Sequence, residues 1–252
     1  MPRSGPAFTA TSAADNPDGS PRAGPERGIW IVDAGYRNDL GLFAERARRL
    51  DEAAVIRLRT RADGLVGAWV ATGFGVLAVR VVAGEIRPAD LSCAADRLAA
   101  GLRDADDSGY VDPGYPMDSG WRGALPPETG FFHVDDVPVR VLADLARRGA
   151  DLAREHGSAH GPPASLLDQE VLRVGAGPAG IGIPLRCVLA LAAMRFLPQI
   201  DDPQIDEPQI DDPQTDDSVE LVRVRVSPTW LRIDARFGSV FRRRGDPALV
   251  LG

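Results

Sequence analysis

Lysine is absent from this 252-residue chain, and all 29 of its basic residues are arginine. Without an ε-ammonium there is no Schiff-base chemistry, no anchor for pyridoxal phosphate and no Walker-type phosphate-binding lysine. Histidine is scarce too: His133, His156 and His160 are the only three. Gly157 interrupts the i, i+4 spacing of the last two. His133 stands beyond the far end of an expected helix of roughly 19 residues, about 28 Å long at 1.5 Å per residue, so one metal site cannot gather all three. The two cysteines, Cys93 and Cys187, lie far apart in apolar patterns and read as buried reduced thiols. No apolar run reaches the roughly 18 residues of a membrane span, and residues 1–28 hold no apolar core of a secretory leader. These absences point to a cytoplasmic protein with no metal, no cofactor and no membrane partner.

Charge needs dissection before it can be used. The net charge is -7, but residues 198–217 hold eight acids and no base in the repeat PQIDD-PQIDE-PQIDD-PQTDD. The rest of the chain is close to neutral, so the acidic balance describes one low-complexity insert and not the folded body. Residues 1–28 lack periodicity and large apolar side chains, and the expectation is a disordered tail, with the true start codon left open.

Order is expected from Ile29. IWIVD has a buried-strand pattern, and a helix capped by Asn38 or Asp39 follows, with Leu40, Phe43, Ala44, Ala47 and Leu50 on one face. Residues 54–59 alternate as a strand, and residues 65–71 and 74–82 form a hairpin. Pro88 is expected to open a helix carrying Leu91, Ala94, Ala95, Leu98 and Leu102. Residues 106–130 form a Gly/Pro-rich loop with an unusual number of aromatics, read chiefly as a packed cover. Asp136 is expected to cap a helix over residues 137–155. A central apolar helix is expected from Pro184 to Leu197, and a meander of two or three strands closes the chain. The fold class is α+β: an N-terminal β-α-β-β-β-α layer unit over residues 29–105, then, over residues 131–252, a helical unit with a small C-terminal antiparallel sheet and the acidic insert.

Gly175, Gly177 and Gly180 spell GxGxxG, the wording of a dinucleotide fingerprint. A helix begun there would carry Gly182 and Pro184 in its first turns, and no second strand ending in a ribose-binding acid follows. The glycines are read as a turn between core segments. No G-x-S-x-G elbow or H-E-x-x-H is present, and no catalytic residue is assigned.

Two surfaces remain as candidates. Tyr115, Asp118, Trp121, Arg122 and His133 would line a ligand cleft if the aromatic loop folds over the following segment. Arg223, Arg225 and Arg232 would form an anion-binding face on the C-terminal sheet. The lysine-free composition and the runs WIVDAGYRNDL, MDSGWRGALPP and HGSAHGPPASLLDQ resemble those of uncharacterised actinobacterial proteins of no known function, a resemblance that implies a lineage and no activity. The expected function is that of a non-enzymatic binding or regulatory protein with a protein partner. The alternatives are a small-molecule enzyme of unknown reaction with a cleft near residues 110–136, and weak nucleic-acid binding through the basic C-terminal sheet. Oligomeric state is not expressed in the sequence.

Overall fold

The computed structural model of the chain describes residues 26–155, 161–175, 180–198 and 220–245. The N-terminal tail, the acidic repeat, His156, His160 and Gly177 lie outside the described residues.

Strand β1 (Gly28–Trp30) leads into helix α1 (Ala34–Leu50). The Asp33 carboxylate accepts the Tyr36 amide at 2.9 Å and caps α1, one turn earlier than Asn38 or Asp39 would place its start. Strands β2 (Val55–Thr60), β3 (Val66–Ala71) and β4 (Leu77–Val82) form an antiparallel meander. Strand β5 (Glu85–Arg87) crosses to pair with β1. Residues Asp90–Ala94, expected as the first turns of a helix, are strand β6, and helix α2 (Ala95–Asp104) starts only after it. The sequence is ambiguous there because Leu91 and Cys93 satisfy period two as well as the helical stripe; pairing with β2 decides for the strand.

The short strand β7 (Tyr110–Val111) also joins β1. After the Gly/Pro-rich loop come β8 (Phe132–Pro138) and helix α3 (Val139–Glu155). Asp136 therefore sits in a strand and does not cap α3. The Val139 amide at the head of α3 donates instead to the Glu220 carbonyl at 2.8 Å, so the neighbouring chain satisfies it. A four-residue helix α4 (Ala164–Leu167) and the antiparallel pair β9 (Glu170–Val174) and β10 (Ile181–Pro184) precede helix α5 (Leu185–Ala193). Strands β11 (Leu221–Val226), β12 (Trp230–Ala235) and β13 (Gly238–Arg243) close the chain as a second meander.

The C-terminal meander is not a small separate sheet. β13 pairs with β4, and all strands but five assemble into one antiparallel sheet of eight, ordered β6-β2-β3-β4-β13-β12-β11-β8. Its halves share a plan. In each, a helix (α1 or α5) enters the meander, and an extra strand (β6 or β8) pairs with the meander's first strand and leads into a second helix (α2 or α3). Helices α1 and α2 pack together, as do α3 and α5.

The register fixes which side chains face the helices. Cys93, Ile56, Val70, Ala78, Val240, Ile233 and Val224 run as one row across seven strands, and all are buried in the core that also holds Leu40, Leu98, Leu142 and Val188 from the four long helices. That core is continuous through the β4–β13 seam. The Phe43 and Phe196 rings stack there with centroids 6.3 Å apart. Gly238 is required at the same seam, because a Cβ would lie 2.5 Å from the Phe196 ring and 2.7 Å from the Val79 carbonyl oxygen. The central apolar helix expected from Pro184 to Leu197 ends at Ala193; Leu185, Val188 and Leu189 on it and Phe196 beyond it are buried, and Ala192 is half-buried.

Candidate functional site

The five residues proposed from sequence as a cleft are not brought together. Asp118 lies in a short 3-10 turn, and its Oδ1 accepts the Ser92 amide of β6 at 2.9 Å. His133 lies on β8, where its Nε2 is 3.1 Å from Asp136 Oδ1. β6 and β8 are the opposite edges of the sheet, seven spacings apart, which at about 4.8 Å each is roughly 30 Å. Tyr115 is 91% exposed at the rim of a shallow groove with Arg97 and Met117. Trp121 packs with Leu125 and Phe131 on Trp69, Trp230 and Phe241, so this part of the loop is a cover across the outer face of the sheet. Arg122 is exposed beside it.

The arginines expected to form an anion-binding face do share one surface, but that surface supplies its own anions. Arg225 Nη1 is 2.5 Å and Arg232 Nε 2.7 Å from the Asp234 carboxylate, which also accepts the Ser239 hydroxyl. Arg232 lies over the Phe131 and Phe241 rings. Arg223 is 3.9 Å from Asp136. Alternation puts Asp234 two residues from Arg232 on the same face of β12, whereas its contact with Arg225 and that of Asp136 with Arg223 depend on the register of β11 with its neighbours.

Groups capable of chemistry are few. Burial pushes the Cys93 and Cys187 thiols up to about 12, so both stay protonated and inert as nucleophiles near neutral pH. The Asp135 carboxyl is held below the usual range by the backbone amides of Gly175 and Asp136. No group of three or more His, Cys, Asp or Glu side chains able to hold a metal occurs among the described residues. Gly175 and Gly180 lie between the antiparallel strands β9 and β10, whereas a dinucleotide cradle needs a strand turning into a helix. No helix among the described residues is long and apolar enough to cross a membrane.

Sequence reasoning did not single out the helix layer. The four helices α1, α2, α3 and α5 contain eleven arginines against seven acids. Arg49, Arg97 and Arg148, one on each of the first three, are exposed and have no ion-pair partner among the described residues. Between α1 and the end of α5, at the seam, a pocket of about 390 Å³ is bordered by Arg46, Arg80, Arg195 and Asp39. Arg80 donates to the Asp39 carboxylate and the Phe237 carbonyl oxygen, and Arg46 Nη1 donates to the Met194 carbonyl oxygen at 3.0 Å. These contacts join residues 41, 157 and 148 positions apart, which is why no local pattern revealed them.

An unbroken antiparallel sheet with paired helices over one face is the architecture of a clamp-type fold. Over 88% of its length the chain superposes on Caulobacter crescentus pol III beta with a TM-score of 0.50 and 14% identity, and it covers 66% of that chain. A protein described as a DNA polymerase III beta subunit from Eubacterium rectale gives a TM-score of 0.50, 9% identity, and coverage of 89% of this chain and 66% of its own. A DNA polymerase sliding clamp from Bacillus subtilis gives 0.48 and 12% identity, with 86% and 64% covered. The chain thus spans just under two thirds of the length of these proteins. Residues 24–123 match the family model described as domain of unknown function DUF8010, and residues 126–247 match domain of unknown function DUF8185. No curated protein matches the chain. The mixed α/β class with antiparallel sheets stands as expected, but the expectation of a generic binding or regulatory protein, and its enzyme and C-terminal-sheet alternatives, are overturned by the clamp-type fold.

Proposed function

We propose that the chain is a clamp-type, DNA-associated protein that lays its helix layer along duplex DNA. The exposed, unpaired Arg49, Arg97 and Arg148 on three helices of one layer carry this reading. An unpaired surface guanidinium can exchange water for a phosphate oxygen at little cost. Arg225 and Arg232 would first have to give up Asp234. The contacts are to phosphates and carry no base sequence, since the arginines sit on separate helices and no single helix offers a row of side chains for base edges. The likeness to pol III beta subunits supports the same direction, as those proteins are components of a DNA polymerase.

The test is fluorescence anisotropy of the full chain with a labelled duplex of arbitrary sequence over a salt series. The expected result is sequence-independent binding whose log affinity falls linearly with log salt, with a slope of about -0.9 per phosphate engaged. Absence of binding at low salt and micromolar protein would overturn the proposal.

A further inference from the structure

The pocket at the seam combines a floor and a rim of opposite character. Leu42 from α1, Pro198 after α5 and Phe237 from the β12–β13 turn supply apolar walls above the buried Phe43 and Phe196. The rim holds three guanidiniums, Arg46, Arg80 and Arg195, and one carboxylate, Asp39, which Arg80 already engages. Arg195 has no side-chain partner among the described residues, and its backbone adopts a left-handed φ of 49°, which only a few non-glycine residues do. The Nε of Arg80 is buried without a hydrogen-bond partner. Burial first, and then the neighbouring charges of Arg195 and Arg80, push the Arg46 guanidinium below its usual value. Positive charge is thus gathered against apolar surface with less than half of it neutralised, and apolar walls strengthen the field an anion would feel.

We propose that this seam pocket is a binding site for a small organic oxyanion, a carboxylate or phosphate monoester attached to an aromatic or compact aliphatic body. The oxyanion lies between Arg46 and Arg195, and the body enters the cleft between Leu42, Pro198 and Phe237. At about 390 Å³ the pocket is within the range of roughly 300–1,000 Å³ usual for small-molecule sites. Neither half of the requirement suffices by itself. A bare inorganic anion leaves the apolar walls wet, and a neutral body leaves the arginines unpaired. The site is independent of the DNA reading, and its ligands can be tested with no DNA present.

The experiment is isothermal titration calorimetry on the full chain with phenyl phosphate and phenylacetate, and with 2-phenylethanol and inorganic phosphate as half-ligands. At least one aromatic oxyanion is expected to bind saturably at one site per chain, at least tenfold tighter than either half-ligand. Tighter binding of phenyl phosphate assigns a phosphate monoester, and tighter binding of phenylacetate assigns a carboxylate. Arg195→Asn keeps a residue that tolerates the left-handed backbone and is expected to weaken binding about tenfold, as is Arg46→Gln, which retains an N–H for the Met194 carbonyl oxygen. Arg87→Gln, on β5 away from the seam, is expected to leave it unchanged. If Arg195→Asn fails to fold, Arg46→Gln decides alone. The proposal is overturned if neither aromatic oxyanion binds, if 2-phenylethanol or inorganic phosphate binds equally well, or if the seam variants bind as the parent does.

Discussion

The meanders β2–β3–β4 and β11–β12–β13 meet the helix layer in the same way and meet the opposite side differently. On the helix side both present buried aliphatic rows, Ile56 with Val70 in one and Val224 with Ile233 in the other. On the outer side the covering loop spans the seam, packing on Trp69 and Val79 of the first half and on Trp230 and Phe241 of the second, whereas towards the β8 edge the second half offers Arg223, Arg225 and Arg232 with Asp234 and Asp136. The helix-side row joins the halves along its whole length, and on the outer face Trp69 meets Phe241 across the same seam with ring centroids 5.1 Å apart. The outer face is closed by apolar cover across the seam and by charge pairing between β8, β11 and β12, and these respond to different perturbations.

The largest effect is expected where the shared core is broken. Val188 is fully buried in that core, and Val188→Asp would place an unpaired carboxylate there, at a cost of more than about 4 kcal/mol. Because the helix-side core is continuous, circular dichroism and tryptophan fluorescence should report loss of both halves in one transition. A surviving N-terminal transition would show that the halves fold separately. Next come the outer faces. Trp69→Ala should cost about 3 kcal/mol, as expected for removal of a large buried aromatic, and the loss should be insensitive to salt. Arg225→Met removes one partly exposed guanidinium from Asp234 and should cost about 1 kcal/mol or less, shrinking further in 1 M salt. Equal salt dependence of the two variants would erase the contrast.

The smallest effect is electrostatic and local. The Glu45 carboxyl is held below its usual range chiefly by its hydrogen bond to Arg48, and the Asp63 carboxyl by Arg61. A folded-state value below the unfolded one gives stability that is present above the unfolded value and is lost as pH falls through the folded one. Urea midpoints should therefore be flat from about pH 5 to 8 on this account and decline below about pH 4. Glu45→Gln should soften the decline only slightly, since the group is near the surface.

Much of the local structure was legible in the chain, and the failures share a cause. Period-two alternation identified β2, β11 and β12, and the helical stripe identified α1 from Leu40 onward. At residues 90–94 the same apolar positions fit a strand and a helix, and residues 137–138, expected to open a helix, end strand β8; the choice is made by partners β2 and β11, which lie elsewhere in the sequence. The joining of the halves depends on Ser239 to Phe241 meeting Leu77 to Val79, a contact with no local signature. The candidate sites follow the same logic. The pairing of Arg223 with Asp136 and of Arg225 with Asp234 rests on strand register, and the seam pocket draws Arg46, Arg80 and Arg195 from three distant segments.

The central claim, that the helix layer and not the outer face meets DNA, is tested most directly by comparing two variants in duplex binding over a salt series. Combined Arg49→Gln, Arg97→Gln and Arg148→Gln should weaken binding at least tenfold and flatten the salt slope by up to about 2.7, the equivalent of three phosphate contacts. Combined Arg223→Gln, Arg225→Gln and Arg232→Gln should leave both nearly as in the parent. The reverse result, with the outer-face variant losing affinity and slope while the helix variant keeps them, would contradict the account.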